Sequence, residues 1–330
     1  MAPDETERFE RYASELRALQ KKNARGGPPS RALHAKGHVG AQGELLVPAG
    51  LPEPLRVAFF AEPRSWPVYV RFSNGSGRHQ HDRTPDVRGM ALKLVGVPGR
   101  KLIPGLEDKR TQDFLFIHTP STPFRDPDEF VSFVRANTTG PALLLPRLLG
   151  TFGPGRTLRL LKRLASMPKP TSLATGPFYT ALPLRLGATA AKLALVPVGP
   201  SGAVTGSASS LREDLVARLR SGPLSWSLRA QLFVDERTTP IEDASVLWPE
   251  DRAPFHELAR LVLPQQDLTS ASGVKLEEQV ERMSFDPWHA VEELRPLGAM
   301  MRARAIAYRE SVLERQAAPE PEDVVKLAAG

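Results

Sequence analysis

Arg304 and Tyr308 stand four residues apart near the C-terminus, and His34 lies in the segment Arg31-Ala-Leu-His-Ala-Lys-Gly37 near the N-terminus. Between Leu297 and Arg315, the positions Leu297, Met301, Arg304, Tyr308, Ser311 and Arg315 recur at three- and four-residue intervals, so on a helix they share one face. An ordinary amphipathic helix would be apolar along that stripe, whereas here two guanidiniums and a phenol interrupt it. A buried phenol needs a hydrogen-bond partner, and a cation within about 4–6 Å lowers its pKa from roughly 10. A phenol so placed is a candidate phenolate, an uncommon axial ligand for ferric iron. The same helix also fits a solvated charged face with a half-buried tyrosine. His34, just ahead of an expected strand, reads on its own as either a structural histidine or an acid–base group.

Periodicity and turn residues outline the elements that must carry these groups. Asp4 to Lys22 repeats apolar residues at Phe9, Tyr12, Ala13, Leu16 and Leu19, a helical stripe that has to dock on the body or on another subunit. The Gly26-Gly-Pro-Pro-Ser30 cluster ends it. Strands are expected at Gly43 to Val47, Pro67 to Ser73, Gly89 to Val95, Phe114 to His118, Ala190 to Val196 and Ser225 to Asp235. In the last of these, Trp226, Leu228, Ala230, Leu232 and Val234 alternate with more polar neighbours, giving one buried face. Pro127 to about Ser166 reads as a basic, leucine-rich helical section, and Ala317 to Gly330 as a loosely ordered tail. Many strands without regular strand–helix alternation favour an antiparallel barrel over a doubly wound sheet. The expected division is an N-terminal helical arm (1–27), a barrel core with inserted helices (28–270), a helical segment carrying Tyr308 (271–317) and a flexible tail (318–330).

Composition narrows the chemistry. The chain has 330 residues, 41% hydrophobic and 25% charged, within the soluble globular range. No apolar run approaches the roughly 20 residues that span a bilayer. The N-terminus, Met1-Ala-Pro-Asp-Glu-Thr-Glu-Arg8, is acidic and polar, unlike a secretory leader, so a cytoplasmic location is expected. Zero cysteines exclude disulfides, thiolate-ligated iron and cysteine-based peroxidase chemistry. Any peroxide chemistry must therefore use a cofactor. The net charge of +7 comes with dispersed arginines and no nucleic-acid motif, so it reads as a surface that steers anionic ligands. The glycine-rich stretches Ser73 to Gly77 and Gly153 to Thr157 lack the lysine and helix context of a phosphate loop and read as turns. His79-Gln-His81-Asp82 has no second ligand cluster to complete a metal site, and His256 and His289 read as surface or core-rim residues.

A family resemblance joins the two ends of the chain. Arg31-Ala-Leu-His34-Ala-Lys-Gly37 is similar to the R-V-x-H-A-[KR]-G segment that carries the distal histidine of haem catalases. Pro67-Val-Tyr-Val-Arg71-Phe72-Ser73-Asn-Gly resembles their P-[VI]-x-V-R-F-S-T-V strand, and Asp86-Val-Arg88-Gly89-Met-Ala-Leu-Lys93 the D-x-R-G-F-A-[VL]-K strand that follows. Asp113-Phe-Leu-Phe-Ile-His118-Thr-Pro120, with Arg125-Asp126 and Phe130 beyond, tracks D-L-x-x-N-[TN]-P-x-F-F-x-R-D. Phe285-Asp-Pro-Trp288 and Arg304-Ala-Ile-Ala-Tyr308 resemble F-[DN]-P-W and the proximal R-x-x-x-Y. Short motifs in family order, from Arg31 to Tyr308, carry the likeness, and the length resembles that of the small catalase-related group.

The resemblance implies an α+β fold built on an eight-stranded antiparallel barrel with helices outside, haem b as cofactor, and hydrogen peroxide or an organic hydroperoxide as substrate. It implies Tyr308 as iron ligand tuned by Arg304, His34 as distal acid–base group oriented by Ser73, Arg31, Arg71 and Arg315 on the haem propionates, and Phe130 in the cofactor pocket. A homo-oligomer and an organic electron donor are compatible with it. One departure stands out: His118 falls at the distal asparagine, and Thr122 and Pro123 replace the phenylalanine pair. That change shifts the expected balance from dismutation towards oxidation of an organic donor. A fatty acid hydroperoxide isomerase or lyase, and a haem-binding module without catalysis, are the alternatives.

Overall fold

Period-two alternation over six segments becomes a closed sheet in the computed structural model, which describes residues 4–24, 31–137, 141–199 and 210–322. The strands are β1 (Gly37–Val47), β2 (Arg64–Asn74), β3 (Arg88–Val95), β4 (Thr111–Ile117), β5 (Phe178–Tyr179), β6 (Leu184–Leu186), β7 (Thr189–Val198), β8 (Leu224–Leu232) and β9 (Phe255–Leu263). Their order is β5-β4-β3-β2-β1-β9-β8-β7-β6, all antiparallel. β5 also pairs with β7, so eight strands close a barrel and β6 extends from β7 as a short hairpin arm. Closure removes the unpaired edges that an open sheet would expose. The inner face is filled by alternate residues such as Leu45, Val70, Phe72, Leu92, Phe116 and Trp226, all almost wholly buried. Phe72 sits 6.1 Å from Phe178 and 6.2 Å from Trp226, ring centre to ring centre, across that interior.

Among the described residues six helices pack outside: α1 (Glu5–Ala24), α2 (Pro127–Asn137), α3 (Pro141–Ala165), α4 (Leu211–Ser221), α5 (Ala271–Arg282) and α6 (Ala299–Glu314). Asp126 accepts from the Glu129 N–H at 3.0 Å and Pro127 follows it, a side-chain cap with proline in the first turn that starts α2. α3 is two half-helices broken at Gly153 (φ 70°), a left-handed conformation that glycine adopts without penalty, and Pro154 opens the second half. Ser210 and Ser270 cap α4 and α5 by accepting from Glu213 and Gly273.

The sequence reading differs from the structure in identifiable places. Strands β5, β6 and β9 and helix α4 lie outside the expected elements, and β1 begins at Gly37 instead of Gly43. The barrel strand read as Ser225 to Asp235 ends at Leu232, and Val234 is exposed. Glu320, expected in a flexible tail, is buried and held by Lys93, Thr111 and Ser284. His289, expected near the surface, is buried against Thr111 Oγ1 at 2.5 Å. The Gly26 to Ser30 cluster and residues 323–330 of the tail lie outside the described residues.

Candidate active site

The outward faces of β2, β3 and β4 build one wall of a cavity of about 1350 Å³. Antiparallel register sets the rows: Ser73 pairs with Gly89 and Gly89 with Ile117, while Arg71 pairs with Ala91 and Ala91 with Leu115. All six residues line the cavity. Its opposite wall is α6, through Arg304, Tyr308 and the helix cap Arg315, with α1 and α2 closing the sides.

His34 lies over the first row. Its N–H donates to the Gly75 carbonyl at 3.0 Å, and its own carbonyl accepts from Arg71 Nη2 at 3.1 Å. The backbone there has φ 55°, a left-handed conformation in which histidine is enriched. The ring meets Ser73 Oγ through Nδ1 at 2.9 Å, leaving Nε2 as the nitrogen available to a substrate. Gly89 makes the placement possible, because a β-carbon there would sit 2.7 Å from both His34 Cε1 and Nδ1. Burial first, then the positive charges of Arg71, Arg304 and Arg31, push the imidazole down to about 3. The ring is therefore neutral at ordinary pH and carries a free lone pair.

On the other wall Arg304 Nη2 donates to Tyr308 Oη at 2.8 Å, and its guanidinium carbon lies 5.0 Å from the ring centre. The helical spacing of four residues brings the two together. A third group of residues gathers at the rim. Arg31, Arg71 and Arg315 converge there, and Arg31 and Arg71 share the carboxylate of Glu281, Arg71 Nε donating to it at 2.8 Å. Arg31 and Arg315 both donate to the Met283 carbonyl, at 2.8 and 2.7 Å. Three guanidiniums facing one carboxylate leave two positive charges uncompensated. Burial and then repulsion from Arg71 pull Arg315 down to about 10, and burial with repulsion from Arg71 and Arg315 lowers Arg31.

This donor set suits an iron porphyrin with two carboxylates. A phenol oxygen stands on one wall, a neutral imidazole on the other, a surplus of two positive charges at the rim, and aliphatic side chains between. The volume exceeds the roughly 300–1,000 Å³ of common small-molecule pockets. Phe130, edge-on to Phe124 at 5.4 Å, lines the cavity as well.

His118 stands elsewhere. Phe114 and Phe116 point into the barrel, so the period of two sends Leu115 and Ile117 to the cavity and turns His118 away. Its Nδ1 accepts from the Arg88 N–H at 2.9 Å and its Nε2 donates to the Pro168 carbonyl at 2.9 Å. With both nitrogens spent on backbone, His118 holds a loop, and the expectation that it meets peroxide is corrected. The residue at the cavity in its stead is Ile117. Strand parity in the sequence carried that signal.

Sequence reasoning also missed the supports of the second wall. Lys93, one row below Arg71 and Ala91, is fully buried and binds Asp113 Oδ1 at 2.7 Å and Glu320 Oε2 at 2.6 Å. Despite burial, Lys93, together with the Ser284 hydroxyl, holds Glu320 down at about 2. Burial pushes Asp113 up to about 8 and Asp286 up to about 7. Glu320 follows α6 in sequence, so this cluster ties the far end of that helix to the sheet. Trp288 Nε1 donates to the Met301 carbonyl at 2.7 Å and Asp286 N–H to Asp113 at 2.9 Å, securing the near end. Among the described residues no group of three or more His, Cys, Asp and Glu side chains could hold a bare metal ion.

Comparison with known proteins gives three findings. Residues 14–148 match the family model described as Catalase. A catalase-related peroxidase of Mycolicibacterium paratuberculosis is 26% identical over 307 residues, covering 86% of this chain and 88% of that protein. A fungal catalase structure superposes with a TM-score of 0.70 at 20% identity, covering 90% of this chain and 61% of the other. Catalase A from Saccharomyces cerevisiae gives 0.69 at 19%, covering 91% and 64%. The chain thus spans about three-fifths of the length of these solved catalases, and at such identity the likeness concerns the fold.

Proposed function

We propose that this chain, whose residues 14–148 match the Catalase family model, is a haem-dependent, peroxide-metabolising oxidoreductase, acting on hydrogen peroxide or an organic hydroperoxide with an organic electron donor. The observation that carries this reading is one cavity with Arg304 and Tyr308 on one wall, His34 and Ser73 on the other, and two surplus positive charges at the rim.

Tyr308 Oη would hold the iron of haem b, with Arg304 donating to that oxygen and fixing its direction. Arg31, Arg71 and Arg315 would take the two propionates, the planar guanidinium fork being suited to carboxylates. When bound, haem supplies a redox iron that stores the oxidising equivalents released from the peroxide. The chain itself handles the proton. His34 Nε2 takes a proton from one peroxide oxygen and returns it to the other as the O–O bond breaks, so that oxygen departs as water or an alcohol; such transfer contributes about 10²–10⁴-fold. Ser73 holds Nδ1 and thereby the ring orientation. Carboxylates at Arg31 and Arg71 would also offset two of the charges that depress His34, moving it towards the more basic range in which proton transfer is efficient.

The outward residues flanking His34 on β3 and β4, Gly89, Ala91, Leu115 and Ile117, carry no polar side chain. That aliphatic surface favours an organic substrate or donor over a second hydrogen peroxide. The test is reconstitution of the purified chain with haem, followed by absorbance spectroscopy. Wild type should bind haem with a high-spin ferric phenolate spectrum, and Tyr308→Phe should lose it. An unchanged spectrum in that variant would overturn the assignment of the iron ligand.

A further inference from the structure

From the surface of α3 we infer that this helix pair docks on an anionic lipid bilayer. Residues 141–169 hold Arg147, Arg156, Arg159, Lys162, Arg163 and Lys169, and no Asp or Glu occurs anywhere from Phe130 to Arg212. The six cations divide by position. Arg156 pairs with Glu129 on α2, and Arg163 reaches Ser121 and the Ser245 carbonyl, so these two fasten α3 to the body. Arg147, Arg159, Lys162 and Lys169 are exposed, and among the described residues no carboxylate pairs with them.

Much of the exposed surface of α3 is also apolar where a solvated helix would be polar. Leu143, Leu145, Leu149 and Leu158 are exposed by 49, 49, 41 and 69%, and they are four of the ten exposed large hydrophobic residues of the described chain. Leu148 and Leu160, by contrast, are buried beneath them, so α3 has satisfied its inward face and still presents leucines outward. Thr157 donates to the Leu148 carbonyl at 2.9 Å across the Gly153 break, holding the two half-helices as one unit. Exposed leucines interleaved with unpaired cations are the pattern of a helix lying in a bilayer surface, apolar side chains entering the acyl boundary while Arg and Lys reach the phosphates. No described helix is long and apolar enough to cross a membrane, so α3 would lie on the surface.

A second copy of the chain fits poorly. A two-fold axis passing through α3 would bring this face against itself, cation to cation with no acid on either side. The location adds a reason for the bilayer. Leu144 and Leu164 of α3, with the following Pro168 and Lys169, line the cavity, so the docking face and the cavity wall belong to one helix. An amphiphile leaving the bilayer would meet the cavity within one helix width; this last clause alone rests on the function proposed above.

The experiment is sedimentation of the full chain with vesicles of phosphatidylcholine alone or mixed with phosphatidylglycerol, with and without added haem. Docking needs no cofactor, so a chain that fails to bind haem still reports on it, and the two readings fail separately. Binding should require phosphatidylglycerol and fade with salt. The triple change Arg147→Gln, Arg159→Gln and Lys162→Gln should weaken partition by about 10²-fold, at roughly fivefold per cation. Leu145→Ser with Leu149→Ser and Leu158→Ser should weaken it too, and circular dichroism melts of these surface variants should match wild type. Absence of vesicle binding, equal binding by the variants, or self-association lost in the leucine variant without lipid binding would overturn the inference. Equal affinity for soluble polyglutamate would do so as well, pointing to an acidic protein instead.

Discussion

The two walls of the cavity are built by different means. The wall bearing His34 is a piece of barrel: Ser73, Gly89 and Ile117 stand in one register row, and the ladder that aligns them is shared with the whole sheet. The wall bearing Tyr308 is a single helix whose own cap residue, Gly298, offers no side chain, and which is held by groups far away in sequence, Glu242 accepting from the Ala299 N–H among them. Lys93 and Glu320, 227 residues apart, secure its far end, and Arg302 with Glu5, 297 apart, ties it to α1. Backbone register distributes load over many bonds, whereas a helix moored by buried charges depends on a few. The tyrosine wall should therefore respond sharply to single substitutions and the histidine wall to steric change.

The largest effect is expected at Lys93. Lys93→Met would leave Asp113 and Glu320 facing each other in the interior, and breaking such a buried pair costs about 3–5 kcal/mol. Urea melts should show that loss, and Trp288 fluorescence should change early because its indole bonds α6 at Met301. A variant as stable as wild type would mean that the helix is held by its surface contacts instead.

Gly89→Ala probes the other wall. A β-carbon 2.7 Å from the His34 ring and 3.0 Å from Ser73 Oγ must displace one of them, an overpacking cost of about 1–3 kcal/mol. Haem uptake should survive, since the tyrosine wall is untouched, while reaction with peroxide should slow by about 10²-fold or more. Loss of haem with peroxide chemistry intact would invert the roles of the walls.

The pH dependence of stability should separate the walls as well. The folded protein keeps His34 neutral down to about pH 3, whereas an unfolded imidazole titrates near 6.5. Its contribution to stability is complete above pH 6.5 and is lost as the pH falls towards 3. Asp286 runs oppositely. Burial raises it to about 7, so the folded state favours its protonated form, and that contribution is lost as the pH rises from about 4 to 7. His34→Gln should flatten the acid side of a stability–pH profile and Asp286→Asn the neutral side. Identical profiles for the two variants and wild type would remove the distinction.

The smallest change is expected at the surface moorings of α6. Arg17 binds Glu310 at 2.9 Å and Glu314 at 2.7 Å. Exposed pairs of this kind are screened by solvent and add little to stability, so Arg17→Ala should shift the thermal midpoint little. A loss matching that of Lys93→Met would show that α1, not the buried cluster, carries the helix.

Much of this was legible in the amino-acid sequence because it is local. Four-residue spacing alone brings Arg304 to Tyr308, and strand parity alone sends Leu115 and Ile117 to one side and His118 to the other. The alternation of Trp226, Leu228 and Ala230 likewise announced a buried face before any partner strand was known. Tertiary structure decided what those faces meet. That Glu281 would bridge Arg31 and Arg71, that Glu320 would reach back to Lys93, and that Gly89 would lie beneath the His34 ring depend on barrel closure and helix docking. Periodicity records only which side of its own element a residue occupies; partners hundreds of residues away are chosen by the packing of whole elements against one another.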